Sequence, residues 1–185
     1  MTDFPASELW DFALSVYSQE GVSQACIALQ DRRGLDVDVM LFCSWLGATG
    51  RGALSRGDLD RAWEAIAPWQ AEVVTALRAV RRRIKEGFAG APEEAAKAVG
   101  KAVLTREIEA ERISLIMLEG TTFRPAGPDR PAGERAADAA ASYALYLTSK
   151  GVEPDTADRA DLLTILSAAV TDGDAGAALD RAFAA

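Results

Sequence analysis

The chain has 185 residues, 49% of them hydrophobic, with 20 basic against 28 acidic side chains, two cysteines and no histidine. That length suits one sizeable domain, or one domain with a small appendage, and a chain of this size buries roughly 70% of its unfolded surface without a disulfide or a metal to hold it. Lack of histidine excludes a Ser-His-Asp triad, a Cys-His pair, a Glu-x-x-His di-iron bundle and His-ligated zinc for the chain acting alone.

The net charge of −8 is uneven, −2 over residues 1–90 and −6 over 91–185, and its average field disfavours nucleic acid and anionic membranes. The N-terminus "MTDFPASELW" has neither the basic region nor the apolar core of a signal peptide, and no apolar run approaches the ~18 residues of a membrane span. A soluble cytoplasmic protein is expected. Cys26 and Cys43 each lie in an apolar stretch and read as reduced, buried side chains.

In chain order the elements are helical. "SELWDFALSVYSQEG" sets Leu9, Ala13, Val16 and Tyr17 on one face, and Gly21 follows the last turn as a C′ residue. Ser23 can cap a second, short helix ended by Gly34, and Asp36 a third that runs to Gly47. That third helix is apolar in nearly every direction, which makes it the buried centre. "GATGRGALSRGD", residues 47–58, reads as an exposed loop before a helix with Leu59, Ala62, Trp63 and Ile66 inward.

Pro68 is expected to open the next helix, in which Trp69, Val73, Leu77, Val80, Ile84 and Phe88 form a stripe. A helix from Pro92 to Glu119, roughly 40 Å long, follows a short loop, with Val99, Val103, Ala110, Ile113 and Met117 as its seam; the two should pair antiparallel. "GTTFRPAGPDRPAG", residues 120–133, holds three prolines and three glycines and reads as a linker. Beyond it come an alanine-rich helix, one capped near Thr156, and a last short one ending at Phe183. The expected architecture is all-α: a compact multi-helix bundle with a long antiparallel helix pair and a C-terminal helical appendage. Its divisions are a helical core module at 1–119, the linker at 120–133 and a C-terminal segment at 134–185.

Two patches carry functional potential. Asp31, Asp36 and Asp38 could hold Mg²⁺ at a bundle mouth, since a hard cation takes several oxygen ligands. They straddle a glycine turn, however, and more simply Asp36 caps the third helix, Asp38 complements its dipole and Asp31 bonds backbone amides or an arginine. The second patch is "VVTALRAVRRRIK", where Arg78, Arg81, Arg82, Arg83 and Lys85 stand without an acid. It can bind an anionic ligand or an acidic partner helix, or pair within the chain with Glu107, Glu109, Glu111 and Glu119 of the following helix. The glycines of 47–58 fit neither a P-loop nor a dinucleotide fingerprint, and no cofactor is expected.

"LWDFALSVY", "GVSQACIALQDRRGLDVDVMLFCSWLG", Trp69, Val73, Val74, "LRAVRRRIK" and "REIEAER" together resemble a bacterial family of uncharacterised proteins, DUF2390, over residues 8 to 118. The resemblance implies no reaction. It implies that Gln30, Asp31 and the basic helix belong to one module, and that an asparagine commonly stands where this chain has Asp38. The functional expectation is a helical binding or regulatory protein contacting a protein partner or a small anionic ligand through Gln30, Asp31 and the arginine-rich helix. The alternatives are a helical enzyme or lipid-handling protein with a carboxylate site at Asp31 and Asp36, or a structural subunit; a homodimer is compatible with each.

Overall fold

The computed structural model describes residues 4–184, and all regular structure among them is helical. α1 (Glu8–Tyr17) starts at Ser7, whose hydroxyl accepts the Trp10 N–H and donates to the Glu119 carboxylate. α2 (Val22–Arg33) follows after Gly21, which takes φ 80°, a left-handed conformation that favours glycine. Ser23 therefore lies inside α2 instead of capping it, and its hydroxyl meets the Gln24 side chain. Gly34, at φ 67°, ends α2 with its N–H on the Gln30 carbonyl.

α3 (Val37–Ala48) begins at Asp36, whose carboxylate accepts the N–H groups of Asp38 and Val39 at 2.9 and 3.3 Å. Every residue from Asp38 to Gly47 is buried, so α3 is the centre the apolar run predicts. Gly47 lets α7 (Ala132–Ser149) approach closely, because a Cβ there would lie 2.6 Å from Ala139 Cβ and from the Arg135 carbonyl oxygen. α8 (Thr156–Ala169) and α9 (Ala175–Ala182) complete the C-terminal part. Tyr143, Tyr146, Leu147, Ile165 and Leu179 from these three helices share one hydrophobic cluster with Leu9, Leu29, Phe42 and Trp45.

The loop after α3 is drawn inward, not exposed as expected. Leu54 is buried and its N–H donates to Ser142 Oγ at 3.0 Å, while Gly50 (φ 70°) lies against Gly127, whose N–H donates to the Thr49 carbonyl. The Pro/Gly-rich stretch is anchored there, and Arg124 also reaches the Ala53 carbonyl at 2.7 Å and pairs with Asp58.

α4 (Arg56–Trp69) runs through Pro68 without a break, contrary to the expectation that this proline opens a new helix. A wider π turn, Gln70–Val74, follows at once and leads into α5 (Thr75–Lys85). The missing N–H and the ring of Pro68 are accommodated on the exposed side, and the widened turn restores hydrogen bonding two residues later. α6 (Glu93–Glu119) returns antiparallel to α5, with Arg78 opposite Glu111, Arg81 opposite Glu107 and Ile84 against Gly100.

The α6 seam keeps Ala110 and Met117 of the expected one but differs elsewhere. Glu107, Ala110, Ser114, Leu115 and Leu118 are buried, whereas Val99 is exposed. Only the C-terminal half of α6 lies on the body of the protein; its first half has α5 alone as a neighbour. α5 correspondingly buries none of its residues, and Val80 and Phe88, expected in a packed stripe, are half exposed.

Candidate functional site

Where the hairpin of α5 and α6 leaves the body, three helices and the π turn enclose a set of polar side chains. Gln70, the first residue of the π turn, donates through Nε2 to Asp38 Oδ2 at 2.8 Å and to Ser114 Oγ at 3.3 Å. Asp38 is only 6% exposed. Burial pushes its carboxyl well above the ordinary carboxylate range, the charges of Asp36 and Glu111 push the same way, and the Gln70 bond and Arg78 oppose them. Asp38 lies in the first turn of α3, as expected, but is buried there with Gln70 as its hydrogen-bond partner.

Asp36 is raised in the same sense, first by burial, against the two amide bonds it accepts as a cap. Its own N–H donates to the Tyr146 hydroxyl at 2.8 Å, which ties the start of α3 to α7. Tyr17, at the end of α1, is raised by burial and then by its neighbours Cys26 and Glu111.

One turn along the hairpin sits an ion cluster. Arg78 donates from Nε to Glu107 at 3.1 Å and from Nη2 to Glu111 at 2.7 Å, and Arg81 holds both oxygens of Glu107. Burial acts to raise the Glu107 carboxyl, but hydrogen bonds from Arg81 and Arg78 outweigh it and hold the group below the usual range. Arg82 pairs with Asp31 at 3.2 Å on the surface, the contact through which α5 meets the end of α2. Arg83 bonds Glu86 and the Gly87 carbonyl and stacks over the Phe88 ring at 3.8 Å.

The expected site residues are therefore divided. Arg78 and Arg81 are committed to α6, Arg82 brings Asp31 to the hairpin, and Lys85 has no ion-pair partner among the described residues. Gln30 is half-buried and contributes its carbonyl to the end of α2; its side chain makes no hydrogen bond among the described residues. Asp31, Asp36 and Asp38 do not converge, having Arg82, the α3 amides and Gln70 as their respective partners. Among the described residues no group of three or more carboxylate or cysteine side chains is placed to hold a metal.

Sequence reasoning missed Gln70, Ser114 and Tyr146. The one signal for the first two was polar residues at positions where α4 and α6 should be apolar. It also missed the clamp between α2 and α8, in which Arg32 and Arg33 both bond the buried Asp158. Burial works to raise that carboxyl, yet bonds from Arg32, the Asp155 N–H and Arg33 hold it low.

Toward the hairpin's tip, α5 and α6 diverge around an open groove of about 670 Å³, with Ile84, Phe88 and Leu104 in its lining and Arg81, Lys85 and Lys101 beside them. From Arg78 to Lys101 the chain carries seven basic and three acidic residues, in a protein whose net charge is −8.

Fold and site together define a histidine-free, all-α protein with a basic hairpin extending from a buried polar junction. The chain belongs to DUF2390, a family of proteins of unknown function, whose model matches residues 8–118, from the start of α1 almost to the end of α6. No curated protein and no solved structure matches it. No helix among the described residues is long and apolar enough to cross a membrane.

Proposed function

We propose that the chain is a helical binding or regulatory protein whose α5–α6 hairpin contacts an acidic protein partner, with Arg82, Arg83 and Lys85 on the contacting side and Asp31 steadying Arg82. The observation that carries this reading is charge segregation: the outer part of the hairpin, Arg78–Lys101, has a net charge of +4 in a protein that is −12 elsewhere. Such a separation steers association with acidic surfaces and does little for stability, since exposed charge pairs contribute only about 0–1 kcal/mol each. Arg78 and Arg81 then serve as a brace, holding α5 on α6 through Glu107, while Lys85 and the exposed, weakly paired Arg82 and Arg83 face solvent.

Chemical crosslinking in a native lysate tests the reading, comparing the parent with Arg82→Glu/Arg83→Glu/Lys85→Glu. These positions are outside the Glu107 cluster, so the variant keeps its fold, which circular dichroism checks. A partner captured by the parent and lost by the variant supports contact through the hairpin. Identical partner lists overturn it.

A further inference from the structure

The hairpin's outer half lacks a third helix. Apart from the surface pair of Arg82 with Asp31 at the end of α2, α5 and the exposed first half of α6 pack on each other among the described residues, and two helices cannot enclose an apolar seam between them. Ile84 and Gly100 approach closely, a Cβ on Gly100 lying 3.3 Å from Ile84 Cγ2, so the helices are tight at this level. In the groove's lining Phe88 is 52% and Leu104 40% exposed, and Ile108, one turn nearer the base, is 45% exposed. Leu104 and Ile108 are four residues apart on α6, hence on one face, and Lys97 and Lys101 continue that face toward the tip.

We infer that the groove between α5 and α6, floored by Ile84, Phe88 and Leu104 and rimmed by Lys85 and Lys101, receives an acidic amphipathic helix from a protein partner. The proposal rests on the reading of the basic hairpin as the contact surface and specifies what it binds. A helix laid in the groove covers the exposed apolar side chains and completes a three-helix unit, with apolar residues at i, i+3 or i+4, and i+7 as anchors.

Charge decides the occupant. Neither Lys85 nor Lys101 has a carboxylate partner among the described residues, so each offers an unpaired ammonium to a carboxylate flanking the anchors. A second copy of this face would bring a like-charged Arg78–Lys101 segment, net +4, against the first. The acidic partner is therefore favoured over self-association through this face.

The test is fluorescence anisotropy with a labelled peptide of about 18 residues, long enough to form a helix, carrying leucine anchors at that spacing and flanking glutamates. A scrambled peptide of the same composition and charge is the control. Binding of the ordered peptide, weakened at least roughly tenfold by Leu104→Glu and by Lys101→Glu but not by Glu20→Gln, supports the groove. Leu104 is half exposed, so its variant should melt with the parent, which is checked first.

Equal affinity for the scrambled peptide overturns the groove while leaving the charge-based contact intact, as does a loss confined to Arg82→Glu. No binding of the ordered peptide overturns the groove, whatever the crosslinking experiment shows. A dimer in light scattering that Leu104→Glu dissociates also overturns it, since a second copy would then cover the face.

Discussion

Replacing Asp38 probes the junction from which the hairpin departs, and two substitutions separate its hydrogen bond from its charge. Asp38→Asn keeps the shape and, with its amide oxygen toward Gln70, keeps an acceptor for the 2.8 Å bond. Asp38→Ala removes that acceptor and leaves Gln70 Nε2 with the weaker contact to Ser114 Oγ at 3.3 Å. Leaving a buried donor under-satisfied costs about 1–3 kcal/mol. For a protein of this size 1 kcal/mol moves Tm by about 2–4 °C, so Asp38→Ala should melt roughly 2–12 °C below the parent.

The pH dependence has a definite sign. The Asp38 carboxyl is raised well above its ordinary 3.8 in the folded state, so the folded protein holds a proton that the unfolded chain releases. Its contribution is complete below that ordinary value and is lost as pH rises through the folded value, by about 1.4 kcal/mol for each pKa unit between them. Asparagine has no proton to lose. In melts from pH 4 to pH 9, Asp38→Asn should track the parent at the acid end and become increasingly more stable toward the alkaline end. Asp36 and Glu111 are also raised by burial, so their contributions fall with rising pH in parent and variant alike. Parallel curves for parent and variant across the range would refute a proton held at Asp38.

Gly47→Ala should destabilise by about 1–3 kcal/mol, seen as a lower urea midpoint, because its Cβ would meet Ala139 Cβ at 2.6 Å and force α3 and α7 apart. Glu107→Gln should cost about 1–3 kcal/mol at pH 7, below the 3–5 kcal/mol of a fully buried pair because Arg78 and Arg81 remain 22% and 30% exposed. Since the Glu107 carboxyl is held low, its contribution is present above the ordinary value of 4.5 and lost as pH falls through the folded one; the difference from the parent should close toward acid pH. Cys26, buried and pushed up to about 12, and Cys43, buried and raised further, should both resist a thiol reagent at pH 8 in the native protein and react once urea unfolds it.

What could be read in the sequence depended on how far apart the interacting residues lie. The Asp36 cap, the Gly34 end of α2 and the apolar central helix are local features, written within a few residues of where they act, whereas Gly21, expected as the C′ residue of α1, instead precedes α2 because α1 ends at Tyr17. Pairing of the arginine-rich helix with its neighbour was anticipated because sequential helices joined by a short loop must lie side by side; the structure selects Glu107 and Glu111, and sends Glu109 to Arg106 and Glu119 to Ser7. The Gln70–Asp38 bond joins residues 32 positions apart across a packing that no local pattern encodes. Pro68 misled for a related reason: an exposed proline stops an isolated helix, but here tertiary packing carries the chain through into the π turn.

The α6 seam shows why polar positions were misassigned. Apolar periodicity alone points to Val99, Val103 and Ile113, because it assumes that inward means apolar. Glu107 and Ser114 lie inward nonetheless, each with a partner on the opposite side, Arg78 with Arg81 for one and Gln70 for the other. Their spacing places them at the base of the hairpin, where α6 passes from the core to solvent, and beyond them no polar pair among the described residues spans the two helices. The base is thereby held in one geometry by directional bonds, and the tip keeps its apolar and cationic side chains uncovered. Gln70, on a π turn and bonded to both α3 and α6, joins the start of the central helix to the base of the hairpin.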